Sequence, residues 1–167
     1  MNIYKLYKFF LGHFRPKRMH HFVDLFKVNS STRILDIGGN PYNWLFISKP
    51  SDTTLLNLSY NPDHIVKDRF WYVVGNALHL PLKDNGFDII FSNSVIEHLG
   101  DYHNQKKFAK EVLRVGICYY IQTPYRYFFL TSFPNIIHSF FDAEMDVILF
   151  KKLYNMGSCY PSFESGV

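Results

Sequence analysis

Arg33-Ile34-Leu35-Asp36-Ile37-Gly38-Gly39-Asn40-Pro41 is the stretch on which the fold turns. A short apolar run holding a single carboxylate stops at two glycines, and a proline follows one residue later. Continuous apolar runs of this length read as parallel strands buried on both faces, and the glycines read as a tight turn. Glycines in such a turn also let backbone N–H groups approach a ligand closely. Upstream, Met19, Phe22, Val23 and Phe26 recur at helical spacing within residues 16–27, until Asn29-Ser30-Ser31 breaks the pattern.

Downstream the chain alternates. Residues 53–58 read as a second strand closed by Tyr60-Asn61-Pro62-Asp63, residues 70–74 as a third stopped by Gly75, and residues 87–92 as a fourth. Residues 102–115 then form an amphipathic helix with Asp101 as N-cap, Phe108, Val112 and Leu113 facing inward, and Gly116 ending it. Residues 117–122 make a fifth strand, stopped at Thr123-Pro124. Strands separated by helix-length connections predict an α/β, Rossmann-like, mostly parallel sheet of about five strands with helices on both faces. Such sheets bind ligands at the carboxyl ends of their strands. Attention therefore falls on residues 36–42, 57–60, 75–78, 92–98 and 123–127.

The 167 residues suit one domain. An apolar share of 47% with 19% charged residues excludes collagen-like and wholly disordered chains. Cys118 and Cys159, in unrelated contexts, argue against a disulfide scaffold or cysteine-bound metal and suit a reducing compartment. No apolar run is long enough to span a membrane, and no cleavage signal follows the N-terminus. The net charge of +4 is local. Lys5, Lys8, Arg15, Lys17, Arg18, Lys27 and Arg33 face only Asp24 in residues 1–33, interleaved with aromatics. The residues divide into a basic aromatic helical segment (1–30), the main domain (31–157) and a frayed tail (158–167). The first segment suits a lid packed on the body, or peripheral contact of residues 1–18 with an anionic membrane face. No RNA-binding module accompanies it, which argues against nucleic acid.

Taken together, the strand-end motifs resemble the class I S-adenosylmethionine-dependent methyltransferases, in the small-molecule branch typified by the type 11 domain. Asp36-Ile37-Gly38-Gly39 resembles the first motif, an acid before a glycine-rich turn. Gly75-Asn76-Ala77 with Leu80-Pro81-Leu82 and Asn85-Gly86-Phe87-Asp88 resembles the third-strand motif and its loop. Ser92-Asn93-Ser94-Val95-Ile96-Glu97-His98-Leu99 resembles the fourth-strand signature. The resemblance spans residues 33–123 and implies S-adenosyl-L-methionine as cofactor. Asp36, Gly38, Gly39 and Asn40 would line its methionine and ribose end, and Asn57 and Leu58 the ribose. Asn76 and Ala77 would meet the adenine, and Ser92, Asn93, Ser94 and Val95 the floor under the sulfonium. Three positions depart from the pattern. Asn40 stands where a second glycine usually falls, as a residue that tolerates a left-handed backbone. Asn57 and Asn76 stand where acids are usual, at a cost of roughly 1 kcal/mol in charge-assisted bonding at Asn57.

The implied activity is methyl transfer to an O or N atom of a small-molecule, sugar or lipid-linked acceptor in the cytoplasm, peripheral at most to the inner membrane face. His98, beside Glu97, is the candidate general base, and Tyr125 and Arg126 are candidates to bind the acceptor. No metal is expected, because His13, His20 and His21 lack helical metal spacing with a nearby carboxylate. The usual final hairpin of the family is missing from the pattern. Met145, Ile148, Leu149 and Leu153 instead suggest a helix, leaving a sheet edge open to homodimerisation. A C-terminally truncated, catalytically inactive binding or assembly module is the alternative reading.

Overall fold

The computed structural model describes residues 3–47, 52–59, 66 and 69–122, with side chains from Arg15 onward. The expected C-terminal helix, the aromatic stretch after Pro124, Tyr125, Arg126 and the tail lie outside the described residues, as do the side chains of residues 1–14.

Among the described residues five strands form one parallel sheet: β1 (Arg33–Ile37), β2 (Asp52–Asn57), β3 (Trp71–Val74), β4 (Phe87–Asn93) and β5 (Gly116–Gln122). Their order is β3-β2-β1-β4-β5. The chain steps outward from β1 to β3 and then returns to place β4 on the other side of β1, so the switch point lies between β1 and β4. Ile37 at the end of β1 is in register with Leu56 on one side and Ser92 on the other. That geometry opens a crevice outside the carboxyl ends of the strands.

Helices cover both faces. α1 (Ile3–Phe26) is longer than the sequence pattern suggested and carries Pro16 within it. Met19 and Phe22, wholly buried, set it against Ile34, Leu55, Ile89 and Phe91. Part of the aromatic excess is packed here. The Phe22 ring meets Trp44, Phe91 and Tyr120 edge-on at 5.9, 5.1 and 5.2 Å, an arrangement the ring quadrupoles favour.

A short helix, α2 (Pro41–Trp44), follows β1. On the opposite face of the sheet, α3 (Tyr102–Val115) buries Phe108, Ala109, Val112 and Val115 against Leu35, Ile37, Leu56 and Ile90. Asp101 caps it, accepting a bond from the Asn104 N–H at 2.9 Å. Leu113 is only half-buried, because the stripe centred on 108, 112 and 115 turns position 113 aside. Among the described residues no helix is long and apolar enough to cross a membrane, and no group of side chains could hold a metal ion.

One polar clamp holds the loop from β3 to β4. Arg114 on α3 donates to the Leu80 and Leu82 carbonyls at 3.0 and 2.8 Å and pairs with Asp84 and Glu111, both at 2.7 Å. Glu111 in turn accepts from the Leu80 N–H at 2.7 Å, and Arg114 holds its carboxyl below the usual glutamate range. Arg114→Ala removes the donor shared by two loop carbonyls and Glu111, so a loss of about 2 kcal/mol is expected in urea unfolding. Arg114→Lys, a point charge in place of a planar fork, should recover less than half of it.

Candidate functional site

A cavity of about 530 Å³ lies at the carboxyl ends of β1, β2 and β3, floored by the segment after β4. That size suits a nucleoside-sized ligand. Its walls start with the glycine turn. Gly38 has φ +73°, and its N–H donates to the Leu56 carbonyl at 2.7 Å, tying the turn to β2. A Cβ there would also run into the Val95 side chain. Val95 occupies the space that any other residue's side chain would need.

Asn40 behaves otherwise than expected. Its backbone is extended, φ −127° and ψ 132°, and its side chain accepts from the Tyr42 N–H at 2.9 Å as the N-cap of α2. The left-handed residue of this turn is Gly38, so position 40 is free to carry a capping side chain.

Asn57 explains its own departure from the family acid. Its Nδ2 donates to the Gly39 carbonyl at 2.9 Å, a bond that a carboxylate cannot make. The amide thereby pins the glycine turn to the end of β2 and leaves Oδ1 as an acceptor on a residue that lines the cavity. Leu58 beside it is exposed. Asn76 uses Oδ1 to accept from the Leu78 N–H at 2.9 Å, closing the turn after Gly75, while Ala77 is buried behind it. The floor is Ser94 and Val95. Ser94 has φ +59°, rare for serine, and its N–H donates to the Gln122 carbonyl at 2.9 Å. Backbone strain of this kind concentrates at working sites. His98 lines the same cavity with an exposed imidazole at the end of a 3-10 turn, Ile96–His98.

Gly38, Gly39, Asn40, Asn57, Leu58, Asn76, Ala77, Ser94, Val95 and His98 therefore meet around one hollow. Three other predicted residues stand away from it. Asp36 is fully buried under the turn, its Oδ2 accepting from Trp44 Nε1 at 2.7 Å. Desolvation pushes its carboxyl up to about 8, against the Trp44 hydrogen bond and the Arg18 charge, which both pull it down. Ser92 is buried, its hydroxyl donating to the Ile37 carbonyl at 3.1 Å and lacing β4 to β1. Asn93 is likewise absent from the lining. Tyr42 does not obstruct the hollow; it packs edge-on against Phe46 at 5.4 Å with the Arg15 guanidinium 5.5 Å over its ring. Ser59, Tyr72 and Val74 also line the cavity. Ser59 falls within the strand-end range 57–60 marked from the sequence, whereas no sequence signal singled out Tyr72 and Val74. Among the described residues no Asp, Glu, Lys or Arg lines the cavity.

A family profile described as a methyltransferase domain matches residues 35–117. Residues 35–117 belong to the class I methyltransferase family. The methyltransferase domain is 28% identical over 95 residues to an ajmaline N-methyltransferase of Rauvolfia serpentina, covering 50% of this chain and 32% of that protein. Among solved structures, it resembles a putative methyltransferase from an antibiotic biosynthesis pathway of Anabaena variabilis. The TM-score is 0.59 at 16% identity, over 81% of this chain and 60% of the other. A putative S-adenosylmethionine-dependent methyltransferase of Methanococcus maripaludis follows at 0.55 and 18% identity, over 71% and 59%. The chain thus spans about a third of that curated relative and about 60% of the solved ones.

The family's cofactor is S-adenosylmethionine, and the donor set suits it. The Gly38–Gly39 turn leaves room for close backbone approach, Asn57 Oδ1 offers an acceptor to a ribose diol, and the uncharged walls suit a purine.

Proposed function

We propose that the methyltransferase domain moves a methyl group from S-adenosylmethionine to an O or N atom of a small metabolite, sugar or lipid-linked acceptor. The convergence of the Gly38 turn, Asn57, Asn76 and Ser94 on one hollow at the switch point carries this reading. The cofactor supplies a methyl carbon already activated by an adjoining sulfonium, so an acceptor lone pair can displace a neutral thioether. The protein's task is then mostly placement. Asn57 and the turn hold the ribose end, the strained Ser94 backbone sets the floor, and His98 on the rim takes the proton that the acceptor O–H or N–H releases.

Calorimetric titration with S-adenosylhomocysteine tests the reading: binding in the micromolar range is expected, and no heat at millimolar ligand would sink it. Binding without turnover across a broad acceptor panel would instead support the non-catalytic module, which the neutral Asn57 and Asn76 favour.

Two variants sharpen the assignment. Asn57→Asp restores the family acid, yet should weaken cofactor binding about fivefold. It exchanges a donor to the Gly39 carbonyl for a repulsive oxygen, a loss of about 1 kcal/mol. Tighter binding would show that the amide's bond to the turn is immaterial. His98→Gln should lower turnover about a hundredfold with cofactor affinity unchanged; a turnover loss below threefold removes the imidazole from the proton step.

A further inference from the structure

α1 presents Arg18 to the sheet in a setting that the cofactor cradle does not explain. The Arg18 Nε is buried and has no hydrogen-bond partner among the described residues, and the same holds for Gln122 Oε1 at the end of β5. No carboxylate among the described residues forms a salt bridge with Arg18. Burial draws its basicity down, the charges of Tyr120 and Asp36 act in the other direction, and Arg15 opposes them. The Asp36 carboxyl is itself pushed toward its neutral form.

These groups lie together on one face. Gln122 Nε2 donates to the Tyr120 hydroxyl at 2.8 Å, and Tyr120 packs under α1 against Phe22. Gln122 pairs with Asn93 across β4 and β5, and strand alternation puts Asn93 on the side of Phe91, which is the α1 side. The Gln122 carbonyl holds the Ser94 N–H, so this polar corner abuts the cradle floor without lining the cradle. An arginine Nε–H and an amide oxygen that are both buried and without a partner are costly in the free protein. A ligand that brings an anionic acceptor for one and a donor for the other removes that cost.

We propose that Arg18 and Gln122 form the recognition point for the methyl acceptor, which carries a carboxylate next to an O–H or N–H donor. The carboxylate takes the Arg18 Nε–H, and the neighbouring donor bonds Gln122 Oε1. Asn93 faces the same corner. The proposal rests on the methyltransferase reading above and narrows its acceptor to amino or hydroxy acids.

The test uses the full chain saturated with S-adenosylhomocysteine, so that cofactor binding is scored separately. Glycine, glycolate, L-phenylalanine and salicylate are titrated calorimetrically, each against its methyl ester. At least one acid should bind ten times more tightly than its ester, and Arg18→Gln should bring that ratio close to one. Gln122→Met should weaken the acid severalfold. With no ligand present, Arg18→Met should raise the melting temperature by about 3 °C, as removal of a buried, unpartnered Nε–H relieves the free protein.

A lower melting temperature in Arg18→Met would overturn the proposal by showing the guanidinium to be paired in the free protein. Equal binding of acids and esters would overturn it too. So would a tenfold loss of S-adenosylhomocysteine affinity in Arg18→Gln with methylthioadenosine unaffected, since that places Arg18 on the cofactor's amino acid end. Absence of cofactor binding in the wild type is the separate failure of the methyltransferase reading.

Discussion

Gly39→Ala should weaken cofactor binding by at least thirtyfold and cost about 2 kcal/mol of stability. A Cβ at this position would lie 2.6 Å from Asp36 Cγ, 2.7 Å from Asp36 Oδ2 and 2.8 Å from the Asp36 carbonyl. None of these atoms can yield cheaply. The carboxyl is held by Trp44 at 2.7 Å in a fully packed layer, and the carbonyl belongs to the central strand β1. The turn itself must therefore move, and with it the Gly39 carbonyl that Asn57 grips. Overpacking of this kind costs about 1–3 kcal/mol, and a displaced cradle wall shows directly in affinity, at about 1.4 kcal/mol per tenfold. Calorimetry and urea unfolding measure the two effects. Affinity within threefold of the wild type would mean that the turn does not shape the site.

The second large effect is a pH dependence set by Asp36. Its folded value of about 8 lies far above the 3.8 of an ordinary aspartate. Between those limits the folded chain keeps a proton that the unfolded chain releases, so stability is fullest near pH 4 and falls as pH rises toward 8. Asp36→Asn keeps an acceptor for Trp44 Nε1 but carries no charge. Its stability should be nearly level over that window and exceed the wild type at pH 8 by several kcal/mol, at about 1.4 kcal/mol for each pH unit that separates the folded and unfolded values. At pH 4 the two should be close. Thermal unfolding at pH 4, 6 and 8 checks this, and parallel curves for the two proteins would show the carboxyl to be solvated or ion-paired. Arg18 acts on Asp36 from α1 and favours its charged form, so Arg18→Met should raise the folded value further and carry the loss of stability to higher pH.

Much of the architecture was legible because local signals were strong. The apolar run before Gly38-Gly39 became β1, Asp101 became a cap, and the stretch from Tyr102 to Val115 became α3 with the bounds its periodicity indicated. The cradle was legible for a related reason. Ligand sites in parallel sheets collect at strand ends, and strand ends are marked by glycine, asparagine and proline. Gly38, Asn57, Asn76 and Ser94 were therefore found together before any contact was known.

The sequence by itself determined which segments are strands, that they run parallel, and where the chain turns sharply enough to admit a ligand. Only the tertiary structure decided which way the polar side chains of those segments face. β1 is buried on both sides, so the alternation that would reveal direction is absent, and Asp36 turned out to serve Trp44 beneath the turn instead of the hollow above it. Ser92 became a lace between strands, Asn40 a cap in extended backbone, and Arg18 a neighbour of Tyr120, far along the chain on the last described strand. Periodicity is written in consecutive residues. The partner that claims a buried polar group comes from elsewhere in the chain and is settled only when the layers close.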